Sequence, residues 1–424
     1  MMAAVRPRLG IHPRSLYHRI THRTAARRRR KTLTPRKPGR HFFANPGPTN
    51  IPDSVLRAMD RNSLDFMEAD FLAVYDEARA GLKRILFTDH ELFFYTATGH
   101  GAWEATMVNL FSPGDHVLMI GGGYFSTAWA NLSRRFGIEV EMLPVDWRAG
   151  VEIAALEARL AADTGHSIKA VCVVHNETST SVALPIPQIR AALDSTKHPA
   201  LLLADTISSL CNFEFRMDSW GIDAVVGGSQ KGLMLPAGLA FTAAGPKALA
   251  AHKAASSPKF YFDWTAMLER RFRSFTGTVP TQPFFGMVEA IKLIEQEGLE
   301  NVWARHHRLA SATRAAVRAW GAGNQGPELY CRDPARYSDS VTTILMPEGH
   351  DADPFRKLLL DRFNVSTGGG LAELSGKVFR IGHMGDLNEA MILGTLGAVE
   401  LALGRAGIPH AKGGVAAAVE ALAC

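Results

Sequence analysis

Ala224-Val-Val-Gly-Gly-Ser-Gln-Lys231-Gly-Leu-Met-Leu-Pro-Ala-Gly238 follows Leu201-Leu-Leu-Ala-Asp205-Thr-Ile-Ser-Ser209 in this chain. Each piece reads as a buried strand that ends in one functional side chain. A lysine amine at such a place can hold an aldehyde cofactor as a Schiff base. An aspartate one strand earlier can pair with a pyridinium nitrogen of that cofactor. Alone, a lysine is usually a solvated surface group, and an aspartate after an apolar strand is common. The pair in this order, 26 residues apart, with Ser-Gln before the lysine and Gly after it, fits a pyridoxal-phosphate site.

Outward from this pair, short apolar runs alternate with amphipathic stretches. The pattern predicts strands at Leu92–Tyr95, His116–Ile120, Ile138–Leu143, Lys169–His175, Ala200–Ala204, Ala224–Gly228 and Leu239–Thr242. Helices are predicted between most of them, at Ala102–Leu110, Thr127–Phe136, Ile153–Ala162 and Ile186–Leu193. Such alternation implies an α/β fold with a mostly parallel sheet covered on both faces. After about residue 283 the pattern changes to two long helices, then strands and helices in turn. The expected organisation is a basic leader (1–41), a large cofactor-binding α/β domain (42–282), a small α+β domain (283–404) and a C-terminal helix or tail (405–424).

The net charge of +6 is a property of the leader. Residues 1–40 hold eleven Arg and two Lys, and the first acid is Asp53. The remainder carries 34 Lys+Arg against 41 Asp+Glu, a net of −7. An Arg-rich, acid-free leader is either an unstructured extension or a transit peptide. Without interleaved aromatics for base stacking, no nucleic-acid partner is expected. No run of about 18 apolar residues suggests a membrane span. Cys172, Cys211, Cys331 and Cys424 lack metal-ligand spacing, and no metal is expected; they read as reduced thiols of a cytoplasmic protein, or of an organellar one if the leader is an address.

Other positions can carry chemistry. Thr98-Gly-His-Gly101 sits between a predicted strand and a helix, where free backbone N–H groups favour a phosphate; glycines of purely steric use are the plainer reading. Gly121-Gly-Gly123 lacks the spacing of a dinucleotide fingerprint. Phe125 after it is either a core aromatic or a flat face for a planar ring. In His175-Asn-Glu-Thr-Ser-Thr180 the hydroxyl of Thr178 can meet a ring oxygen or merely cap a turn. Asp205 would keep a ring nitrogen protonated, and Ile207 points the same way along an extended segment. Lys231 would also move a proton once the substrate amine displaces it. Arg380, within an apolar strand, either clamps a carboxylate or makes a structural ion pair.

With Pro46-Gly-Pro, Asp205-Thr-Ile-Ser-Ser209, Gly228-Ser-Gln-Lys-Gly-Leu-Met-Leu-Pro236 and Phe379-Arg-Ile-Gly-His-Met-Gly-Asp386, the chain resembles the class V aminotransferases of pyridoxal-phosphate fold type I. The resemblance covers about residues 42–403. It implies that Lys231 is the Schiff-base lysine and Asp205 the ring-nitrogen partner. Thr98, Gly99, His100, Phe125 and Gln230 would be cofactor contacts, and Arg380 the substrate-carboxylate arginine. It also implies a homodimer with shared active sites, because Thr278 matches a phosphate ligand given by the partner subunit. Small amino acids and 2-oxo acids would be the substrates. Serine as donor and glyoxylate as acceptor come first, then alanine, aspartate or an aminophosphonate as donor. The chain departs from the family at Ser181, where a glycine is expected.

Two rival readings differ in class. A desulfurase needs a nucleophilic cysteine on a mobile loop, and Cys331 lacks flanking Ser/Gly loop residues. A non-catalytic protein that binds through the leader leaves the Lys231–Asp205 pair without a purpose.

Overall fold

The computed structural model describes residues 37–270, 275–323 and 325–423. The expectations for residues 1–36 of the leader lie outside the described residues. Fourteen strands lie among the described residues: β1 (Phe42–Ala44), β2 (Glu91–Tyr95), β3 (His116–Ile120), β4 (Glu139–Leu143), β5 (Ile168–Val174), β6 (Asn176–Glu177), β7 (Val182–Ala183), β8 (Leu201–Asp205), β9 (Ala224–Gly228), β10 (Ala240–Ala244), β11 (Glu328–Leu329), β12 (Val341–Leu345), β13 (Val365–Gly369) and β14 (Val378–Gly382).

Seven of them build a sheet in the order β2-β10-β9-β8-β5-β3-β4. Only β10 runs antiparallel to its neighbours. Alternation along β5 shows why the strand is apolar throughout. Val171 and Val173 enter one core, Ala170, Cys172 and Val174 the other. Both faces are therefore dry, and every second residue cannot be polar. The predicted strands of this sheet all appear, with ends shifted by at most two residues.

A second sheet, β1-β13-β14-β12-β11, covers its own core of residues such as Leu309, Trp320, Phe379 and Leu396. Its first strand comes from near the start of the described residues, since β1 pairs in parallel with β13. The helix Gly414–Ala423 packs on the helix Leu299–Trp320. Glu400 ties the two by accepting hydrogen bonds from the Trp320 indole (3.0 Å) and the Gly413 and Val415 N–H groups (3.1 and 3.0 Å).

The helix Thr281–Glu297 packs against the helix Ala69–Leu86. Phe284 is its buried anchor, with the rings of Phe71, Tyr75, Phe94 and Phe275 at centroid distances of 5.2 to 5.9 Å. Removing this ring deletes contacts on all sides and leaves a cavity that edge-on neighbours cannot close. Phe284→Ala is expected to lower stability by about 3–5 kcal/mol in chemical denaturation; a loss below about 1 kcal/mol would show that this cluster relaxes freely.

Candidate active site

The carboxyl ends of the parallel strands converge on one cavity of about 220 Å³. Gly99 and His100 follow β2, Phe125 follows β3, Asn176 and Thr178 follow β5, Asp205 ends β8, and Gln230 and Lys231 follow β9. All of these line the cavity, together with Trp103, Ile207 and Ser208. Open α/β sheets bind ligands at this edge because the strands end there and the following helices begin there.

Lys231 and Asp205 are both buried, and no hydrogen bond or ion pair joins them. The Lys231 ammonium donates instead to the Pro46 carbonyl. Burial, helped by the positive Arg380, brings its pKa down to about 8, against the opposing pull of Asp205. The close approach needs Gly47, which has φ +100° and whose added Cβ would lie 2.1 Å from the amine nitrogen. Burial pushes the Asp205 carboxyl up to about 7. The Ile207 N–H (2.7 Å) and the Trp103 indole N–H (2.9 Å) donate to it and oppose that rise. Trp103 is held in turn by Trp129, stacked at 5.8 Å and 7°.

The helix Gly99–Leu110 starts three residues earlier than its sequence pattern predicts. Its cap residue Thr98 makes no side-chain hydrogen bond, so the first N–H groups stay directed at the cavity end of the helix. Gly99 is packed tightly, since a Cβ there would meet Ile207 Cδ1 at 2.2 Å. The Thr178 hydroxyl donates to Ser208 Oγ (2.8 Å). Asn176 also donates to Ser208 Oγ (2.9 Å), and its own Oδ1 is buried without a partner. Trp103, Asn176 and Glu177 are the site groups that the sequence did not single out. Each acts through partners 30 or more residues away. Residues 41–384 match the family model "Aminotransferase class-V".

The chain belongs to the class V aminotransferase family. It is 42% identical over 386 residues to serine–glyoxylate aminotransferase of Arabidopsis thaliana, covering 90% of this chain and 95% of that protein. It is also 42% identical to L-aspartate–glyoxylate aminotransferase of Paracoccus denitrificans, covering 88% and 94%. The crystal structure of ureidoglycine–glyoxylate aminotransferase from Bacillus subtilis superposes with a TM-score of 0.82 at 26% identity, covering 93% of this chain and all of that one. The fold read from the sequence is thus the fold of the family.

Within this family frame, Arg380 is buried on β14, is not among the residues lining the cavity, and reaches the loop that carries Thr178. Its Nε donates to Gly369 O (2.8 Å) and its Nη1 to Thr178 O (2.9 Å). Ser181 takes the expected glycine's place with φ 61°. Its hydroxyl bonds Thr343 Oγ1 (2.5 Å), which compensates a conformation that side chains seldom adopt. Thr278 and Thr98 are exposed, and neither is among the residues lining the cavity formed by one chain.

The lowered pKa of Lys231 has a direct readout. In apoenzyme, acylation of this amine followed by mass spectrometry is expected to titrate with a midpoint of about 8. Arg380→Gln removes a positive neighbour and should raise that midpoint. A midpoint at the ordinary lysine value, or a fall in the variant, contradicts this electrostatic description.

Proposed function

We propose that the protein is a pyridoxal 5′-phosphate-dependent aminotransferase that moves the amino group of serine to glyoxylate, giving hydroxypyruvate and glycine. The observation that carries it is the pair of buried, mutually unbonded groups, Lys231 and Asp205, facing one cavity at the carboxyl edge of the sheet. A buried charge without a partner is costly, so a ligand that pairs both removes that cost. The residues present fit this cofactor. The uncapped helix end at Gly99 suits a phosphate, the orphaned Asn176 Oδ1 and the Thr178 hydroxyl suit ring substituents, and Phe125 and Ile207 suit the two ring faces.

When bound, the cofactor supplies an aldehyde and a ring that accepts the electron pair released at the substrate's α-carbon. Asp205 holds the proton on the ring nitrogen through its carboxylate, oriented by Ile207 and Trp103. Lys231, with a lowered pKa, would hold the cofactor at rest and would serve as the proton carrier at the substrate's α-carbon. His100 and Gln230 line the same cavity as Lys231 and would be further contacts of the cofactor. Arg380 clamps the substrate carboxylate; two of its donors are already spent on Gly369 and Thr178, which fixes the guanidinium plane. Thr278 would reach a phosphate across a homodimer interface, making the active sites shared. In the same reading, residues 42–282, apart from β1, form the cofactor-binding domain, and 283–404, joined by β1, the domain that carries Arg380. We propose a cytoplasmic location, or an organelle reached through the Arg-rich leader. No helix among the described residues is long and apolar enough to cross a membrane.

Aspartate is the second reading for the donor, because a relative named for it is as similar as those named for serine. Three relatives at 41–42% identity are named for serine and one at 42% for aspartate, which favours serine. Each donor is tested by mixing it with holoenzyme and following the cofactor's absorbance. Serine is expected to exceed alanine and aspartate in kcat/KM. A preference for aspartate or an aminophosphonate of about tenfold, which is about 1.4 kcal/mol, overturns the donor but not the cofactor. Asp205→Asn is expected to slow turnover by about 10³-fold, through lost stabilisation of the ring proton. A rate within about threefold of wild type would assign Asp205 a structural role only.

A further inference from the structure

Two features have no part in the reaction as described. One is the glycine run Gly121-Gly-Gly123; the other is the buried carboxylate of Glu177. They meet at the start of the helix Tyr124–Arg135. Gly123 is the cap position of that helix and has no side chain with which to cap it. The first helical N–H groups go instead to the loop after β5. Tyr124 N–H donates to Ser179 Oγ (3.1 Å), Phe125 N–H to Glu177 Oε2 (3.0 Å), and Ser126 N–H to the same oxygen (3.1 Å). Ser179 donates its hydroxyl (2.6 Å) and its N–H (3.2 Å) to Glu177 Oε1.

Every group hydrogen-bonded to the carboxylate is a donor. An ionised carboxylate accepts from all of them, whereas a protonated one would set a donor against a donor. Burial raises the Glu177 pKa, and these hydrogen bonds oppose the rise. Helix N-termini favour an anion because their N–H groups are unpaired and the dipole is positive there. Here the chain brings its own anion, from 51 residues away along the sequence. Gly123 makes this possible: a Cβ at that position would lie 2.6 Å from Glu177 Cγ and 2.6 Å from Ser179 Oγ. The closed helix end leaves no N–H groups for a phosphate, in contrast to the uncapped end at Gly99. The result is a fixed position for Phe125, whose ring lines the cavity and meets Trp103 edge-on at 6.5 Å.

We propose that Glu177 is a positioning residue of the active site: its carboxylate closes the N-terminus of the helix Tyr124–Arg135 and so fixes the Phe125 ring against the cofactor. The proposal rests on the reading of Phe125 as the ring-facing aromatic. Gly123 is part of the same device.

Glu177→Gln keeps the shape but turns an amide N–H₂ toward backbone donors. In apoenzyme, amide hydrogen exchange of Tyr124, Phe125 and Ser126 is expected to quicken about tenfold, the scale of a lost cap, while β5 and β8 keep their protection. The Kd for pyridoxal 5′-phosphate is expected to rise about tenfold. Phe125→Leu should also raise it, and in that background Glu177→Gln should add less than about twofold, because the two residues act as one unit. Unchanged exchange at 124–126 overturns the anchor, and a full multiplicative effect in the double variant overturns action through Phe125. If Phe125→Leu leaves Kd unchanged, the reading of Phe125 fails, and the proposal with it, even where exchange has quickened. Should Glu177→Gln not fold, Ser179→Ala removes one donor and the acceptor of Tyr124 while keeping the carboxylate. It is expected to quicken exchange at the same amides, and no change there overturns the anchor equally.

Discussion

The structure is organised around two buried charges that do not touch. Lys231 and Asp205 end neighbouring segments of a dry parallel sheet, and each is held away from the other by its own hydrogen bonds. Bringing either into such a place alone costs several kcal/mol. The surrounding fold maintains that cost by rigid means. Gly47 admits the Pro46 carbonyl to the amine, and the Trp103–Trp129 stack aims an indole N–H at the carboxylate. A cofactor that is cationic at its ring nitrogen and electrophilic at its aldehyde relieves both at once. Binding and chemistry then draw on the same pre-organised groups.

Around this pair the site uses two helix N-termini in opposite ways. The helix Gly99–Leu110 is left without a side-chain cap at the cavity, and the helix Tyr124–Arg135 is capped by Glu177 and Ser179. One end is available to an anion from outside, and the other already holds an anion of the chain. This division gives a physical reason why only one of two similar strand–helix turns, both rich in glycine, is suited to a phosphate. The second sheet contributes Arg380, which is fixed by the carbonyls of Gly369 and Thr178, so the carboxylate clamp proposed for it depends on the contact between β14 and the loop after β5.

The seven strands of the large sheet were legible because burial on both faces makes each an apolar run, as in Val171-Cys-Val-Val174. β13 was not. Val365-Ser-Thr-Gly-Gly369 has no apolar period, and its carbonyls at Thr367 and Gly369 are satisfied by Arg356 and Arg380 rather than by its own pattern. The three-residue β1 owes its place to pairing with β13, which no local signal encodes. Lys231 and Asp205 were legible because strand, spacing and residue type coincide. Glu177 and Trp103 were not, since their partners lie 51 and 102 residues away. The triple glycine was visible but the use of its last member was not: Gly123 makes room for a side chain from a distant loop.

The central claim is that the cofactor is held at Lys231 and nowhere else. Borohydride reduction of the holoenzyme, followed by proteolysis and mass spectrometry, tests it most directly. The account predicts that the phosphopyridoxyl group is found on the peptide containing Gly228-Ser-Gln-Lys231, at that lysine. Label on another lysine, or no label in an enzyme that still transfers amino groups, would contradict it.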